Sequence, residues 1–305
     1  MDLKIVEAVQ NISTPFLDWL FSALTRFGEE IFFVCVFLIF YWCLRYNHAF
    51  KFAFCYVASV MLNGVLKLIV RRPRPWMASS SIENKLPASG LSFPSGHSQS
   101  VSAISTFIVY DVFSNKQNSK KVKLCSLIVA ILICLTVGFT RIYLGQHYLT
   151  DVLAGLLLGA LVVLLIKFIE AKLPDKFKQK INLQLVLTCV SIVMLIAVIV
   201  VGFFEIGLSY SATIKVFRYA GMAVGVTLGY LLSLKCVLNI ELTKLQKLLK
   251  VAIGFVITFG TYLLLSLIPV GAPFMIAFNV LISAIIATFV YPWLFNKIIL
   301  KLKKD

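Results

Sequence analysis

Long runs of apolar residues dominate this chain, and short polar segments separate them. Nine stretches approach the roughly 20 apolar residues that a helix needs to cross a bilayer: 30–44, 49–70, 95–112, 123–140, 148–169, 183–203, 216–236, 251–269 and 273–296. Residues 1–29 form a weaker, amphipathic segment, which we expect to lie at the membrane interface. The pattern predicts an all-α fold, a polytopic membrane helical bundle with about nine transmembrane helices.

The composition excludes a compact soluble domain. Hydrophobic residues make up 60% of the 305 residues, charged residues make up 14%, and the mean hydropathy is +0.94. A soluble domain is about half apolar and about one quarter charged. The net charge of +16 is compatible with a nucleic-acid-binding protein, but the basic residues lie in short runs between apolar stretches, as in membrane proteins. We therefore expect a membrane-embedded chain with no nucleic acid partner.

The distribution of Lys and Arg predicts the orientation of the chain in the membrane. Alternate connecting segments contain 19 of the 29 basic residues: 45–51, 113–123, 167–182, 235–250 and 297–305. Cytoplasmic loops carry such an excess. The C-terminus is therefore predicted to be cytoplasmic, with 71–94 and 141–147 on the extracytoplasmic side.

Two of the three histidines, His97 and His147, lie at the edges of apolar stretches among other polar residues. Ionisable groups at membrane depth are costly, so such residues are candidates for a functional site. The third, His48, falls in a short basic connection, where we expect a solvated loop residue.

His147 is followed four residues later by Asp151, and Arg141 precedes both. If the fifth span starts here, His147 and Asp151 share a helix face. A carboxylate on one imidazole nitrogen fixes the tautomer and leaves the other nitrogen as a nucleophile or base. Arg141 is within reach of an anion bound at the same place. A polar helix start without chemical function also fits this pattern.

The tetrapeptide Pro94-Ser95-Gly96-His97 directly precedes another apolar stretch. Ser95 is a good helix cap, and Gly96 allows a ligand to approach the backbone. The free N–H groups of a first helical turn bind anions. His97 would then stand beside the anion, in a position to donate a proton to a leaving oxygen. An ordinary helix cap is the alternative interpretation.

The second apolar stretch closes on a basic run that contains Lys67, Arg71, Arg72 and Arg74. A basic anchor at the membrane edge, with Lys67 snorkelling outward, explains part of this pattern. Three arginines on the extracytoplasmic side nevertheless run against the charge bias, and an anionic ligand is the simplest reason for them.

The three segments together supply what phosphoryl transfer requires. Lys67, Arg74 and Arg141 can balance the charge on the phosphoryl oxygens. His147 can attack in line, and His97 can protonate the leaving alkoxide. The seven cysteines lie within or at the edges of apolar stretches without a CxxC pair, and no metal-ligand cluster is evident. We expect no disulfide, no metal and no cofactor.

These segments resemble the active-site pattern of the type 2 phosphatidic acid phosphatases (the PAP2 family), which share it with vanadium haloperoxidases and glucose-6-phosphatase. That pattern is Lys-x6-Arg-Pro, then Pro-Ser-Gly-His, then Ser-Arg-x5-His-x3-Asp. The chain matches it in order and spacing, and departs from it at Thr140, which replaces the usual Ser and keeps its hydroxyl.

The resemblance implies a role for each matching residue. His147 would be the nucleophile that forms a phosphohistidine, and Asp151 would orient it. His97 would be the general acid and would later activate water. The phosphate would be held by Lys67, Arg74, Ser95, Gly96 and Arg141, without a metal.

The resemblance also divides the chain into three parts. Residues 1–29 would be the interfacial segment, 30–172 the catalytic helical core, and 173–305 a four-helix membrane extension of unknown role. Glycines spaced by four residues indicate close helix packing within the core and the extension: Gly155 and Gly159, and Gly221, Gly225 and Gly229.

The implied function is a membrane phosphatase for a lipid phosphate or diphosphate such as undecaprenyl diphosphate, phosphatidylglycerophosphate or phosphatidate. Two alternatives stay open: a phosphatase for a water-soluble phosphomonoester, as in glucose-6-phosphatase, and a lipid transporter that uses the additional spans. Transfer of the phosphate to an acceptor alcohol also stays open.

Overall fold

The structure, a computed structural model, describes residues 2–44, 46–87, 90–172, 210–236, 240–268 and 273–302, with four isolated residues between 189 and 196. The regular elements within these ranges are all helices, so the predicted all-α class is confirmed. Two compact units are present. The first comprises Met1–Phe37 and His48–Leu173, and the second comprises Leu38–Asn47 and Pro174–Asp305.

The first unit begins with two short helices and continues with longer ones. In chain order the helices up to Lys172 are α1 (Asp2–Gln10), α2 (Pro15–Leu24), a 3-10 turn (Thr25–Gly28), α3 (Glu30–Cys43), α4 (Tyr46–Val70), α5 (Pro75–Ala78), α6 (Gly96–Ser114), α7 (Lys120–Tyr143) and α8 (Leu149–Lys172). Thr14, Ser95 and Ser119 start α2, α6 and α7 as caps, because each side-chain oxygen accepts from a backbone N–H three residues later.

Helix α6 packs against both α7 and α8 and holds the centre of this unit. Its buried serines face neighbouring helices, and Ser102 Oγ donates to the Leu156 carbonyl at 2.6 Å. Gly155 and Gly159 of α8 face the α6 backbone, where a Cβ on Gly159 would lie 2.3 Å from the Gln99 carbonyl oxygen. The predicted close packing at these two glycines is confirmed.

Gly159→Ala is expected to destabilise the protein by about 1–3 kcal/mol, because the added methyl group forces two backbones apart. Gly64 of α4 is a matched control, since a Cβ there would meet nothing within 4 Å. Gly64→Ala should leave stability unchanged or raise it by up to about 1 kcal/mol through helix propensity. Apparent melting temperatures in detergent measure both effects. Equal melting temperatures of the two variants would contradict the packing.

The N-terminal helices are anchored on the end of the unit where α7 meets α8. Val6 of α1 is fully buried against Ile82, Ile142 and Val152. Tyr143 at the end of α7 donates its hydroxyl to Asp18 of α2 at 2.6 Å. The predicted interfacial segment is thus two helices and a 3-10 turn.

The second unit contains α9 (Tyr210–Cys236), α10 (Lys244–Ser266), α11 (Pro273–Ile285), a π-helical turn (Ile286–Val290) and α12 (Tyr291–Leu302). Helix α9 packs on α11 through its glycines. A Cβ on Gly221 or Gly225 would lie 2.2 or 2.6 Å from a backbone carbonyl oxygen of α11. The predicted role of this glycine row in helix packing is confirmed.

Two aromatic side chains of α3 belong to the second unit and bind its π-helical turn. Tyr41 donates its hydroxyl to the Thr288 carbonyl at 2.9 Å, and the Trp42 indole N–H donates to the Ala287 carbonyl at 2.8 Å. A π-helical turn disturbs the regular i to i−4 hydrogen-bond ladder. The Tyr41 phenol and the Trp42 indole thereby obtain backbone carbonyls as buried hydrogen-bond acceptors.

Six helical segments in the described ranges are long and apolar enough to cross a membrane: His48–Lys67, Lys120–Tyr143, Leu149–Lys172, Val216–Leu234, Lys244–Ser266 and Pro273–Leu302. Glu30–Cys43 is a shorter apolar helix. The predicted span 95–112 is the serine-rich helix α6, and the predicted span 183–203 lies outside the described ranges. The count of nine therefore stays a prediction.

The prediction for His48 was wrong. Helix α4 begins at Tyr46, so His48 lies within a helix, and its Nε2 is 2.5 Å from Asp111 Oδ2 of α6. The apolar pattern placed the start of α4 three residues too late, which left His48 in a loop.

Candidate active site

A tight turn at residues 144–147 joins α7 to α8 and arranges Arg141 and His147. The backbone N–H groups of Gln146 and His147 both donate to the Arg141 carbonyl, at 3.0 and 3.1 Å. The turn requires Gly145, which has a φ of +70°, and a Cβ there would lie 2.4 Å from the Glu83 carbonyl oxygen. The chain therefore folds back on itself directly before His147.

His147 and Asp151 meet, although not as a pair on one helix face. Helix α8 starts at Leu149, so His147 lies in the preceding turn. Its Nδ1 is 3.6 Å from Asp151 Oδ2, which is longer than an ordinary hydrogen bond. The Ser92 hydroxyl donates to the same Oδ2 and lies 3.4 Å from Nδ1, and the Tyr148 N–H donates to it at 3.0 Å. The expectation of a shared helix face was wrong, because the helix begins two residues later.

The His147 ring is almost fully buried, and its surroundings keep it neutral. Burial lowers the pKa of His147 to about 3, against the opposing influence of Asp151. Nearby Arg141, Arg74 and Lys67 act in the same direction as burial. A neutral imidazole whose Nδ1 faces Asp151 presents a lone pair on Nε2 at neutral pH.

Arg74 stands on the Nε2 side of this imidazole. Its Nη1 lies 3.4 Å from His147 Nε2 and donates to the Gln146 carbonyl at 3.0 Å, while its Nε donates to the Gly90 carbonyl at 3.0 Å. The guanidinium is 7% exposed. Two backbone carbonyls thus hold a buried cation next to the predicted nucleophilic nitrogen.

Lys67 binds the loop that leads into α6. Its Nζ donates to the carbonyls of Leu91, Ser92 and Pro94, at 2.7, 3.3 and 2.9 Å. An ammonium group has three donors, so these acceptors saturate it. Lys67 therefore holds the loop and contributes positive charge to the site.

Arg141 is buried, with 2% of its surface exposed. Its Nη1 donates to Thr25 Oγ1 at 2.9 Å, and its Nε has no hydrogen-bond partner among the residues that the structure describes. Arg74 repels it and Glu29 attracts it electrostatically. A buried guanidinium with an unused donor is suited to an anionic ligand.

The start of α6 completes the site. Ser95 is fully buried, accepts from the Ser98 hydroxyl at 2.9 Å, and its N–H donates to the Asp151 carbonyl at 3.0 Å. Gly96 and His97 form the first turn, whose N–H groups lack acceptors within the helix. His97 packs on Gly28, where a Cβ would lie 2.7 Å from its own Cβ.

The structure brings the eight predicted site residues into one region at the ends of α4, α6, α7 and α8. Arg141, His147, Arg74 and Lys67 all act electrostatically on His97. Within the described ranges, no group of three or more His, Cys, Asp or Glu side chains is arranged to hold a metal ion. That the site works without a metal ion stays a prediction.

Sequence reasoning missed three residues of this region, and it attributed Arg72 to an anionic ligand, whereas Arg72 binds two carboxylates of the protein itself. Ser92 and Arg72 both bind Asp151, Thr25 binds Arg141, and the Gln146 amide donates to the Leu86 carbonyl at 2.7 Å. Arg72 lies in the basic run and Ser92 lies two residues before Pro94, so each had a positional signal. Thr25 had none, because it is 116 residues away from Arg141 along the chain.

Comparison with known proteins shows the family of this chain. The model of the PAP2 superfamily matches residues 48–175, and that of the PAP2 superfamily phosphatase transmembrane extension matches residues 217–304. Phosphatidylglycerophosphatase B of Bacillus subtilis is 31% identical over 59% of this chain and 87% of its own length. Lipid A 4′-phosphatase of Bacteroides thetaiotaomicron is 28% identical over 59% of this chain and 81% of its own length.

A solved structure has a similar fold. The crystal structure of a transmembrane PAP2-type phosphatidylglycerolphosphate phosphatase from Bacillus subtilis is 29% identical, with a TM-score of 0.50, and covers 57% of this chain and 86% of its own. Within the described ranges, six helices are long and apolar enough to cross a membrane. The chain is therefore a multi-pass membrane protein that belongs to the PAP2 superfamily.

Proposed function

We propose that this protein is a membrane phosphatase that hydrolyses the phosphate ester or diphosphate of a lipid through a phosphohistidine at His147. The observation that carries this proposal is the environment of one imidazole. Its Nδ1 faces Asp151, and its Nε2 lies 3.4 Å from Arg74 Nη1. A nucleophilic nitrogen beside a buried cation is the arrangement that attack on a phosphoryl group requires.

In the first step the Nε2 lone pair of His147 forms a bond to phosphorus, and the bond between phosphorus and the ester oxygen breaks. His97, which the anionic phosphate of the bound substrate keeps protonated, gives its proton to the departing alkoxide, so the product alcohol leaves neutral. Asp151 stabilises the positive charge that develops on the His147 ring through its Nδ1 side.

In the second step neutral His97 accepts a proton from water as the water oxygen bonds to phosphorus. The P–N bond breaks, its electron pair returns to His147 Nε2, and phosphate leaves. The same imidazole thus acts as acid and then as base, and the enzyme ends in its starting protonation state.

The cations and the start of α6 stabilise the charge on the transferring group. Arg74 and Arg141 would bind its oxygens directly. Arg74 is adjacent to His147 Nε2, and the Nε donor of Arg141 has no partner among the described residues. The first-turn N–H groups that follow Ser95, at Gly96 and beyond, would add donors. Lys67 would act through its charge and through the loop that it holds.

A lipid is the substrate class that fits best. The site lies at the ends of apolar helices of membrane-spanning length, where the phosphate of a lipid is found. The relatives named above are a phosphatidylglycerophosphatase and a lipid A phosphatase. Undecaprenyl diphosphate, phosphatidylglycerophosphate and phosphatidate are the substrates to compare.

We further propose nine spans, a cytoplasmic C-terminus and a site on the extracytoplasmic side, from the 19 of 29 basic residues in alternate connections. Residues 1–29 would lie at the interface, 30–172 would form the catalytic core and 173–305 the extension. A reporter enzyme that is active only outside the cytoplasm should be inactive when it is fused to the C-terminus. Activity of this fusion would contradict the proposed orientation.

A substrate panel tests the function. Purified protein in detergent should release phosphate from a long-chain lipid phosphate with a kcat/KM at least about tenfold above that for its short-chain soluble analogue, since each buried CH₂ contributes about 0.8 kcal/mol. His147→Ala is the inactive control. Equal kcat/KM values would favour a soluble phosphomonoester as the substrate, and equal rates for wild type and His147→Ala would contradict the mechanism.

A further inference from the structure

Arg72 joins the carboxylate of Asp151 to the first helix of the chain. Its Nη1 donates to Asp151 Oδ1 at 2.8 Å, and its Nη2 donates to Asp2 Oδ2 in α1 at 2.9 Å. Both acidic groups are therefore bound by the two arms of one guanidinium. The Asp151 side chain is fully buried, whereas the Arg72 side chain is 27% exposed.

Two neighbours of His147 hold this guanidinium in place. Its plane lies over the Tyr148 ring, with the guanidinium carbon 3.7 Å from the ring centroid. Its Nη1 also donates to Thr150 Oγ1 at 2.7 Å, and the Thr150 hydroxyl donates to Asp2. The Arg72 guanidinium is thus in contact with an aromatic ring and is hydrogen-bonded through both Nη1 and Nη2.

These contacts leave the Asp151 carboxylate one orientation. Arg72 occupies Oδ1, while the Ser92 hydroxyl and the Tyr148 N–H occupy Oδ2. A carboxylate bound at both oxygens cannot rotate without breaking buried hydrogen bonds. Its Oδ2 therefore stays 3.6 Å from His147 Nδ1.

We propose that Arg72 is a positioning residue for the phosphatase reaction, that it fixes the orientation of Asp151 and through it the His147 ring, and that Asp2 holds Arg72 for this task. The inference rests on the proposed function, because it assumes that His147 is the nucleophile. It assigns the first helix a part in catalysis, although that helix contributes no group that touches the reacting atoms.

Arg72→Ala tests the positioning role, and Lys121→Ala is the control, because Lys121 is an exposed basic residue at the start of α7, the end of that helix away from the site. We expect kcat of Arg72→Ala to fall about 10- to 100-fold, the size typical of groups that orient a functional histidine or carboxylate from behind. KM should change by less than about twofold, because the substrate contacts remain. Lys121→Ala should keep wild-type kcat.

Chemical rescue separates positioning from a folding defect. Guanidinium ion added at millimolar concentration should restore part of the lost kcat of Arg72→Ala and leave the kcat of Lys121→Ala unchanged. Arg72→Lys should recover less activity than wild type, since one ammonium cannot span Asp2 and Asp151 in the same fork geometry. Loss of kcat with no rescue, or a loss that appears wholly in KM, would overturn the proposal.

A double-mutant cycle tests the contribution of Asp2. Asp2→Ala should lower kcat of the wild type and have no further effect on Arg72→Ala, because it acts through the same guanidinium. Additive losses would overturn that part of the proposal.

The two proposals fail in different ways. An active His147→Ala would overturn the function itself. An inactive His147→Ala and Asp151→Ala, together with wild-type kcat in Arg72→Ala, would overturn the role of Arg72 alone.

Discussion

Replacement of His97 by alanine is expected to yield an enzyme that becomes phosphorylated but does not turn over. Loss of a general acid–base group should slow lipid phosphate hydrolysis by about 10²- to 10⁴-fold. The effect should depend on the leaving group. An aryl phosphate with a stable phenolate leaving group needs no proton in the first step, so attack by His147 should proceed in the variant.

The measurement is a covalent label. After incubation with a ³²P-labelled aryl phosphate and acid-free denaturation, His97→Ala should retain acid-labile label on the protein, because no base activates water for the second step. His147→Ala is the control and should retain none. Equal labelling of both variants would contradict the assignment of nucleophile and acid.

Replacement of Arg141 by methionine is expected to abolish most activity without loss of stability. In the part of the chain that the structure describes, the Nε donor of this buried guanidinium has no hydrogen-bond partner, and Arg74 repels the group. A preorganised donor to a transition-state oxygen contributes about 10²- to 10³-fold in kcat. A buried charge without an ion-pair partner costs free energy, so an apolar side chain of similar volume at this position should be neutral or stabilising. The variant should therefore lose activity while its stability stays the same or rises.

Two melting curves check this expectation. The apparent melting temperature of Arg141→Met in detergent should equal or exceed that of the wild type. Inorganic phosphate should raise the wild-type value, by about 2.7 kcal/mol of added stability at 100 times its Kd, and should have little effect on the variant. Thr25→Ala provides a comparison, because it removes the Nη1 acceptor and keeps the charge. A variant that melts well below the wild type would indicate a structural role for Arg141.

The sequence predicted the composition of the site better than its geometry. Residue type, spacing and the resemblance to the PAP2 pattern selected Lys67, Arg74, His97, His147 and Asp151, and the structure brings these side chains into one region. The pairing of His147 with Asp151 was predicted for the wrong reason. A positive φ at Gly145 and the later start of α8 bring the two together, and neither is encoded in hydrophobic spacing.

Contacts between distant segments were not predictable from the pattern. Asp2 and Arg72, and Thr25 and Arg141, are far apart along the chain, and local sequence carries no information on which of them meet. Lys250 is a similar case. It was counted with a basic loop, whereas it lies buried in α10 and donates to Asn296 Oδ1 at 3.1 Å.

Helix α3 has a consequence for building chimeric proteins from this family. Its last residues belong to the second unit, where the phenol of Tyr41 and the indole of Trp42 are bound to the π-helical turn near Ala287. A crossover at residue 173 would therefore exchange the extension while leaving behind the two side chains that its carbonyls require. A functional chimera has to include residues 38–47 together with the extension. The two segments that must be transferred together are therefore separate in the gene.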